Sequence, residues 1–214
     1  MNNFDLSLYL VLDPMLCAGI GMVETAQAAA AGGATMIQLR DKLADTRAMI
    51  EMGRTLKRAL AGTRTLLIIN DDVEAARAVE ADGVHVGQSD MAARAARQRV
   101  GNRMILGVSV ETIDRARAVD TSIASYVGAG PVFATQTKPD HEPPIGFDGL
   151  RKIVEASALP IVAIGGLKAE HAEGCFAAGA HGLAVVSAIC GTPDPEAATR
   201  DLARAIAAAK EKRR

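Results

Sequence analysis

Two short polar clusters in the first half of the chain hold residue types that bind cations: Asn70, Asp71 and Asp72, then Gln88, Ser89 and Asp90. Each closes an apolar run, Leu66 to Asn70 and Gly83 to Val86, with a short helical run between them. If the two runs are parallel neighbouring strands, both clusters emerge at the same edge of one sheet. Two convergent carboxylates repel by about 4 kcal/mol at ~4 Å and an effective dielectric of ~20. A divalent metal removes that cost and supplies a site for a phosphorylated ligand.

Other polar residues also close apolar runs. Gln38, Arg40 and Lys42 follow TMIQL, Ser109 follows Met104 to Val108, and Thr135, Gln136, Thr137 and Lys138 follow a short run at Ser125 to Val127. Later, AIGGL (Ala163 to Leu167) and VVSAI (Val185 to Ile189) put small residues at strand-to-helix junctions. Backbone N–H groups there, backed by a helix N-terminus, form a phosphate cradle, and Gly165 and Gly166 permit close approach. Two anion sites result. One is neutral, made of N–H groups, and suits a monophosphate. The other combines Asp71 and Asp90 with Arg40, Lys42 and Lys138 and suits a metal-bound diphosphate.

Each residue also has a plainer reading. Arg40 and Lys42 fit a solvated turn, and Ser109 reads equally as the cap of the next helix. Asp71 or Asp72 can be the N-cap of the short helix, and His85 reads as a hydrogen-bonded core histidine before a catalytic one. The glycines at 165 and 166 also suit tight turn packing. Only their collection on one rim makes coincidence the weaker explanation.

That collection requires a particular set of elements. Apolar runs at Leu8 to Asp13, Thr35 to Leu39, Leu66 to Asn70, Gly83 to Val86, Met104 to Val108, Ser125 to Val127, Pro160 to Ile164 and Gly182 to Val186 read as strands. Helical stretches alternate with them: Met22 to Ala31, Asp45 or Thr46 to Leu60, Val73 to Val79, Met91 to Val100, Glu111 to Val119, Phe147 to Ala156 and Leu167 to Ala178. A last helix starts at Asp194-Pro195. AAGGATMIQ, VEADGVHVG and AAGAHGLAVV repeat one transition, from a helix end on small residues straight into a strand. Strands apolar throughout and alternating with helices are parallel and covered on both faces. The economical closure is a single-domain (β/α)8 TIM barrel over residues 1–214, with its active site at the strand C-termini; eight near-complete units with no Gly-rich turn after the first strand favour it over the alternative, a doubly wound open sheet. Gly128 to Gly146, with Pro131, Pro139, Pro143 and Pro144, is a long irregular stretch, and a loop of this length inside a compact domain is functional or disordered.

The totals exclude several functions. Apolar residues make up 49% and charged residues 23%, a globular composition. A net charge of −1 gives no field to recruit nucleic acid or an anionic membrane, so phosphate binding must be local. With no Trp, two Tyr and four Phe, a base-stacking platform is not expected. Cys17, Cys175 and Cys190 have no CxxC spacing and read as reduced, buried thiols. MNNFDLS is not a signal peptide, and no apolar run approaches ~18 residues. A soluble cytoplasmic protein acting on small molecules is expected, of undetermined oligomeric state. Gly128-Ala129-Gly130 precedes Pro131 rather than a helix, so it is no dinucleotide fingerprint. No Walker A, HExxH or GxSxG motif occurs.

QLRDK (Gln38 to Lys42), INDD (Ile69 to Asp72), DGVHVGQSD (Asp82 to Asp90), GVS (Gly107 to Ser109), YVGAGPVFATQTK (Tyr126 to Lys138), AIGGL and VVSAI together resemble the thiamine-phosphate synthase family. They span nearly the whole chain in the family's order. The resemblance implies coupling of 4-amino-2-methyl-5-hydroxymethylpyrimidine diphosphate to a thiazole phosphate, with release of diphosphate. It places the pyrimidine diphosphate on Gln38, Arg40, Lys42, Asn70, Ser109 and Lys138, with Arg40, Lys42, Ser109 and Lys138 as the catalytic groups. It makes Asp71 and Asp90 the Mg²⁺ ligands. It puts the thiazole phosphate on Thr135, Gln136, Thr137, Gly166, Val186 and Ser187. Ala134 stands where the family often has Pro.

The residue types agree with that chemistry. Diphosphate leaves a methylene attached to an electron-rich aminopyrimidine, so the protein must stabilise departing negative charge and orient the thiazole nitrogen. That nitrogen has no proton to lose, and no strong general base is evident. A thiazole-phosphate tautomerase or regulator on the same barrel would lack a complete diphosphate site. A sugar-phosphate isomerase or aldolase would want a Schiff-base lysine or a paired acid and base. A non-catalytic interaction module would leave the polar rim without a purpose.

Overall fold

The apolar runs become parallel strands that pair in sequence order and close on themselves in the computed structural model, which describes residues 4–87, 93–137 and 142–213. The strands are β1 (Leu8–Leu12), β2 (Met36–Leu39), β3 (Leu66–Asn70), β4 (Gly83–Val86), β5 (Ile105–Val110), β6 (Tyr126–Ala129), β7 (Ile161–Ile164) and β8 (Gly182–Val185). The helices are α1 (Met22–Gly32), α2 (Thr46–Ala59), α3 (Val73–Val79), α4 (Ala93–Val100), α5 (Ile113–Ala118), α6 (Gly146–Ala156), α7 (Ala172–Ala177) and α8 (Pro195–Arg213). This is the (β/α)8 barrel expected from the alternation. No helix of the described residues is long and apolar enough to cross a membrane.

Strand alternation sorts the side chains into two cores. Leu8, Leu10, Leu12, Ile37, Leu39, Leu67, Ile69, Val84 and Leu106 point outward and are buried beneath the helices. Residues of opposite parity, Tyr9, Met36, Ile68, Tyr126, Val162 and Ala184, fill the barrel itself. Full burial of each such aliphatic side chain contributes about 1.5–3 kcal/mol, so the pattern rather than any one residue selects the register.

Local signals end and start the helices as expected. Gly33, at φ 107°, closes α1 by donating to the carbonyls of Ala29 and Ala30. Asp45 caps α2 by accepting from Ala48 N at 2.8 Å. Asp194 caps α8 by accepting from Ala197 N at 2.9 Å, with Pro195 in the first turn.

Several boundaries differ from expectation. β5 runs on through Ser109 and Val110, and β6 takes in Gly128 and Ala129, because these residues pair with each other across the two strands. The helix expected over Leu167 to Ala178 divides into a 3-10 turn, Ala169–His171, and the shorter α7. There the His171 ring accepts from Lys168 N at 3.0 Å, and the Phe147 ring sits against Gly174. No helix starts behind Val186 and Ser187: Ile189 N and Cys190 N both donate to the Val186 carbonyl in a single turn, and Gly191 (φ 78°) and Pro193 delay α8 to Pro195.

Candidate active site

The C-terminal rim of the barrel is built by parity. Met36, Ile68 and Gly107 face inward, so Gln38, Asn70 and Ser109, two residues further on, form the top interior layer. Gln38 pairs with Val11, and Asn70 pairs with His85. Arg40 and Lys42 lie just beyond β2, and among the described residues Arg40 makes no ion pair. Asp90 and Lys138 lie outside the described residues.

Asp71 is the fixed point of this rim. It is a non-glycine residue at positive φ (63°), a conformation that Asp and Asn tolerate better than most residues. Its amide donates to the His85 carbonyl at 2.8 Å, tying the end of β3 to β4. Its Oδ2 accepts from Lys42 Nζ and, at 2.6 Å, from Asn70 Nδ2, while Oδ1 accepts from Gly87 N at 3.3 Å. Asp72, by contrast, caps α3 through Ala75 N at 2.8 Å. The two neighbours therefore divide the roles that the sequence left open between them. Ser109 is not a cap either, since Thr112 caps α5 by accepting from Arg115 N at 3.3 Å.

The donor set bears on a metal. Among the described residues no three His, Cys, Asp or Glu side chains converge. Mg²⁺ does not need three, because it is held by one or two carboxylates together with phosphate oxygens and water. Asp71 is a hard oxygen donor at the rim and already binds a cation, the Lys42 ammonium. The residues present fit such an ion.

At the other side of the rim, Gly165 (φ 101°) and Gly166 (φ 64°) lie under the loop after β6. Val132 N donates to the Ile164 carbonyl at 2.9 Å and Phe133 N to that of Gly165 at 3.0 Å. A Cβ on Gly165 would stand 2.6 Å from Pro131 Cα, and one on Gly166 2.6 Å from the Ala134 carbonyl oxygen. Tight packing thus accounts for both glycines. It also brings the Thr135 to Thr137 segment beside β7, where Thr137 N donates to Thr135 Oγ1 at 3.3 Å. No hydrogen bond among the described residues uses the amides of Gly166, Leu167, Ser187 or Ala188. These amides, without a helix behind the pair on the β8 side, are the N–H groups open to an anion.

A buried polar group links the two sides of the pocket floor. His85 Nε2 lies 2.9 Å from Ser109 Oγ and His85 Nδ1 2.9 Å from Tyr126 Oη. Tyr126 Oη is 2.9 Å from Tyr9 Oη, which accepts from Gln38 Nε2 at 2.7 Å. A Cβ on Gly107 would overlap the Tyr126 ring and His85 Nδ1, so glycine there makes the room. Tyr9 and Tyr126 went unnoticed in the sequence. The signal was available: they are the chain's two tyrosines, each at an inward strand position.

Burial pushes the His85 imidazole down to about 4, with the Asp71 charge opposing, and raises both phenols above their ordinary values. An unfolded histidine titrates near ~6.5. Between about 6.5 and about 4 the unfolded chain binds more protons, so stability falls as pH is lowered through that window. The expected loss is about 3 kcal/mol. His85→Gln should lack this acid limb in urea titrations compared at about pH 4.5 and about pH 7. Equal losses in both proteins would place the acid sensitivity at other groups.

The model of the family described as thiamine monophosphate synthase matches residues 8–189. A thiamine-phosphate synthase from Psychrobacter sp. (strain PRwf-1) is 46% identical over 196 residues, covering 90% of this chain and 92% of that one. One from Azorhizobium caulinodans is 48% identical over 201 residues, covering 94% and 95%. The solved thiamine phosphate pyrophosphorylase from Pyrococcus furiosus superposes with a TM-score of 0.86 at 38% identity, covering 95% of this chain and 96% of that one.

Proposed function

We infer the working of the rim from one premise: the chain belongs to the thiamine monophosphate synthase family. It is a transferase that forms thiamine phosphate. In the reading proposed here, its substrates are 4-amino-2-methyl-5-hydroxymethylpyrimidine diphosphate and a thiazole phosphate. The observation that carries this reading is Asp71, locked at the rim by Asn70, Lys42 and Gly87 N, on the same side as Arg40, which makes no ion pair among the described residues.

The pyrimidine lies over Gln38, Asn70 and Ser109, with its diphosphate towards Arg40, Lys42 and Lys138. Mg²⁺, held by Asp71 and Asp90, would supply further positive charge against the diphosphate. Arg40, Lys42 and Lys138 take up the charge that develops as the bond from methylene carbon to diphosphate oxygen breaks. The electron pair leaves with the diphosphate, and the aminopyrimidine ring delocalises the positive charge left behind. Ser109 orients the ring from below. The amides of Gly166 and Ser187, with Val186 and Thr135 to Thr137 around them, hold the thiazole phosphate so that its ring nitrogen meets the methylene carbon.

Mixing the protein with both substrates and Mg²⁺ is expected to yield thiamine phosphate and one equivalent of diphosphate. With a chelator, or with either substrate omitted, no product is expected. Absence of product above an enzyme-free control would overturn the reading. Full turnover in chelator would remove the metal from it.

A further inference from the structure

One imidazole joins the two loops assigned above to the thiazole phosphate. His171 ends the 3-10 turn after β7, Ala169–His171, and its Nδ1 accepts from Lys168 N at 3.0 Å. The same ring lies against Phe133, from the loop after β6, with centroids 4.6 Å apart and planes inclined by 38°. Phe147, in the first turn of α6, meets Phe133 edge-on at 5.2 Å and 88°, and its centroid is 6.5 Å from that of His171. Gly174 in α7 leaves room for it, since a Cβ there would stand 2.4 Å from Phe147 Cζ. All three rings are half-buried.

Both loops need such a fastening. Gly165 and Gly166 sit at φ 101° and 64°, and glycine leaves that turn free to take other conformations. The open amides belong to Gly166 and Leu167, and the bond at Lys168 N, one residue further on, closes the turn in the form that presents them. On the other loop, Val132 N and Phe133 N donate to the carbonyls of Ile164 and Gly165 at 2.9 and 3.0 Å. Ile145 N and Gly146 N donate to the carbonyls of Pro131 and Val132, each at 2.9 Å. Those bonds fix the backbone as far as Phe133, and Thr135 comes two residues later. The Phe133 ring, held against His171 and Phe147, fixes the direction in which the chain leaves towards it.

We propose that His171 is a positioning residue for the thiazole phosphate subsite, setting the span between the amides of Gly166 and Leu167 and the Thr135 to Thr137 segment. The inference rests on the synthase reading above and deepens it. A phosphate held from two loops is bound well only when both sets of donors stand at hydrogen-bond distance from its oxygens. An error of about 1 Å in the span forfeits one set. His171 acts through two separable properties. The Nδ1 lone pair fastens the Gly166–Leu167 side, and the ring face fastens the Phe133 side. The span is set only while both are held. The phosphate is remote from the thiazole nitrogen that reacts, so a loosened span costs affinity for this substrate rather than speed in the chemical step.

Substitutions at this one position separate the two properties. His171→Gln keeps an acceptor, because a glutamine three residues into a helical turn reaches back to the N–H that opens it, but it has no ring. His171→Phe keeps a ring and has no acceptor. His171→Ala has neither. In steady-state kinetics with both substrates, His171→Ala is expected to raise the KM for the thiazole phosphate on the order of tenfold, leaving kcat and the KM for the pyrimidine diphosphate unchanged. His171→Gln and His171→Phe should each raise the same KM several-fold, and the product of their two effects should exceed that of His171→Ala. Effects that simply multiply would show two independent contacts and overturn the bridge, as would equal rises in the two KM values. Should His171→Ala fail to fold, wild-type KM values in the other two variants would overturn it. If the wild type formed no thiamine phosphate, the synthase reading would fall. Titration of inorganic phosphate against the Gly166 and Leu167 amide signals would still decide the role of His171. Weaker phosphate binding in His171→Gln and His171→Phe is expected, and equal affinity in all three proteins, or none in the wild type, would overturn the proposal.

Discussion

Asp71→Asn is expected to lower turnover with the two substrates by about 10²–10³ while leaving the fold in place. Asparagine tolerates the positive φ of 63° at this position nearly as well as aspartate does. Its side-chain oxygen can still accept from Asn70 Nδ2, and its backbone N–H keeps the bond to the His85 carbonyl. What the substitution removes is the charge and one acceptor, because the amide nitrogen cannot accept from Gly87 N. Lys42 then loses its carboxylate partner, and a metal ion loses one of the two carboxylates proposed to hold it. The measurement is steady-state turnover across a Mg²⁺ titration, with the melting temperature recorded in parallel. Asp72→Asn is the matched comparison, since asparagine caps helices as well as aspartate and α3 should keep its bond to Ala75 N. Wild-type turnover with wild-type Mg²⁺ dependence in Asp71→Asn would take Asp71 out of the metal site.

Gly182→Ala should have the largest effect on stability, about 4 kcal/mol or more, enough to prevent accumulation of folded protein at ordinary growth temperatures. Gly182 opens β8 at an inward position, and the chain entering β1 crosses directly over it. A Cβ there would coincide with the Leu6 carbonyl oxygen and stand 3.1 Å from Ser7 N. Both obstacles are backbone, so no rotamer change relieves them. Relief would require moving the segment that accepts Leu183 N on the Ser7 carbonyl at 3.1 Å, where β8 meets β1 and the barrel closes. Gly19→Ala, with nothing within 4 Å of its Cβ, is the control and should be close to neutral. Soluble Gly182→Ala protein with a melting temperature like that of Gly19→Ala would show that the β8–β1 seam yields more readily than its geometry indicates.

These two sites were unequally visible beforehand. Asp71 could be read from the chain because its neighbours are sequential: an apolar run ends, polar residues follow, and a helix begins. Even its division of labour with Asp72 obeys a local rule, since the residue three places before Ala75 is the one whose carboxylate reaches that amide. Gly182 could not be read in the same way. Within GLAVV it is one more small residue, and only the passage of Leu6 over it makes it irreplaceable. Gly165 and Gly166 show the same limit. Their place after a strand suggested close approach of a ligand, and only the fold shows that the loop from Pro131 to Ala134 packs where their Cβ atoms would be.

By itself, then, the sequence determined the repeating βα unit, several helix caps and the gathering of Gln38, Arg40, Asn70, Asp71 and Ser109 at one rim. All of these depend on residues close in the chain, or on the alternation of strands and helices. The tertiary structure alone decided the hydrogen bonds from Gln38 to Ser109, the extension of β5 and β6, and the turn that replaces a helix behind Val186. Tyr9 and Tyr126 are 117 positions apart, and His85 and Ser109 are 24 apart. No local rule relates them. Their contact exists because closing the barrel brings inward side chains from β1, β2, β4, β5 and β6 together, and among the described residues no buried side-chain nitrogen or oxygen is left without a partner.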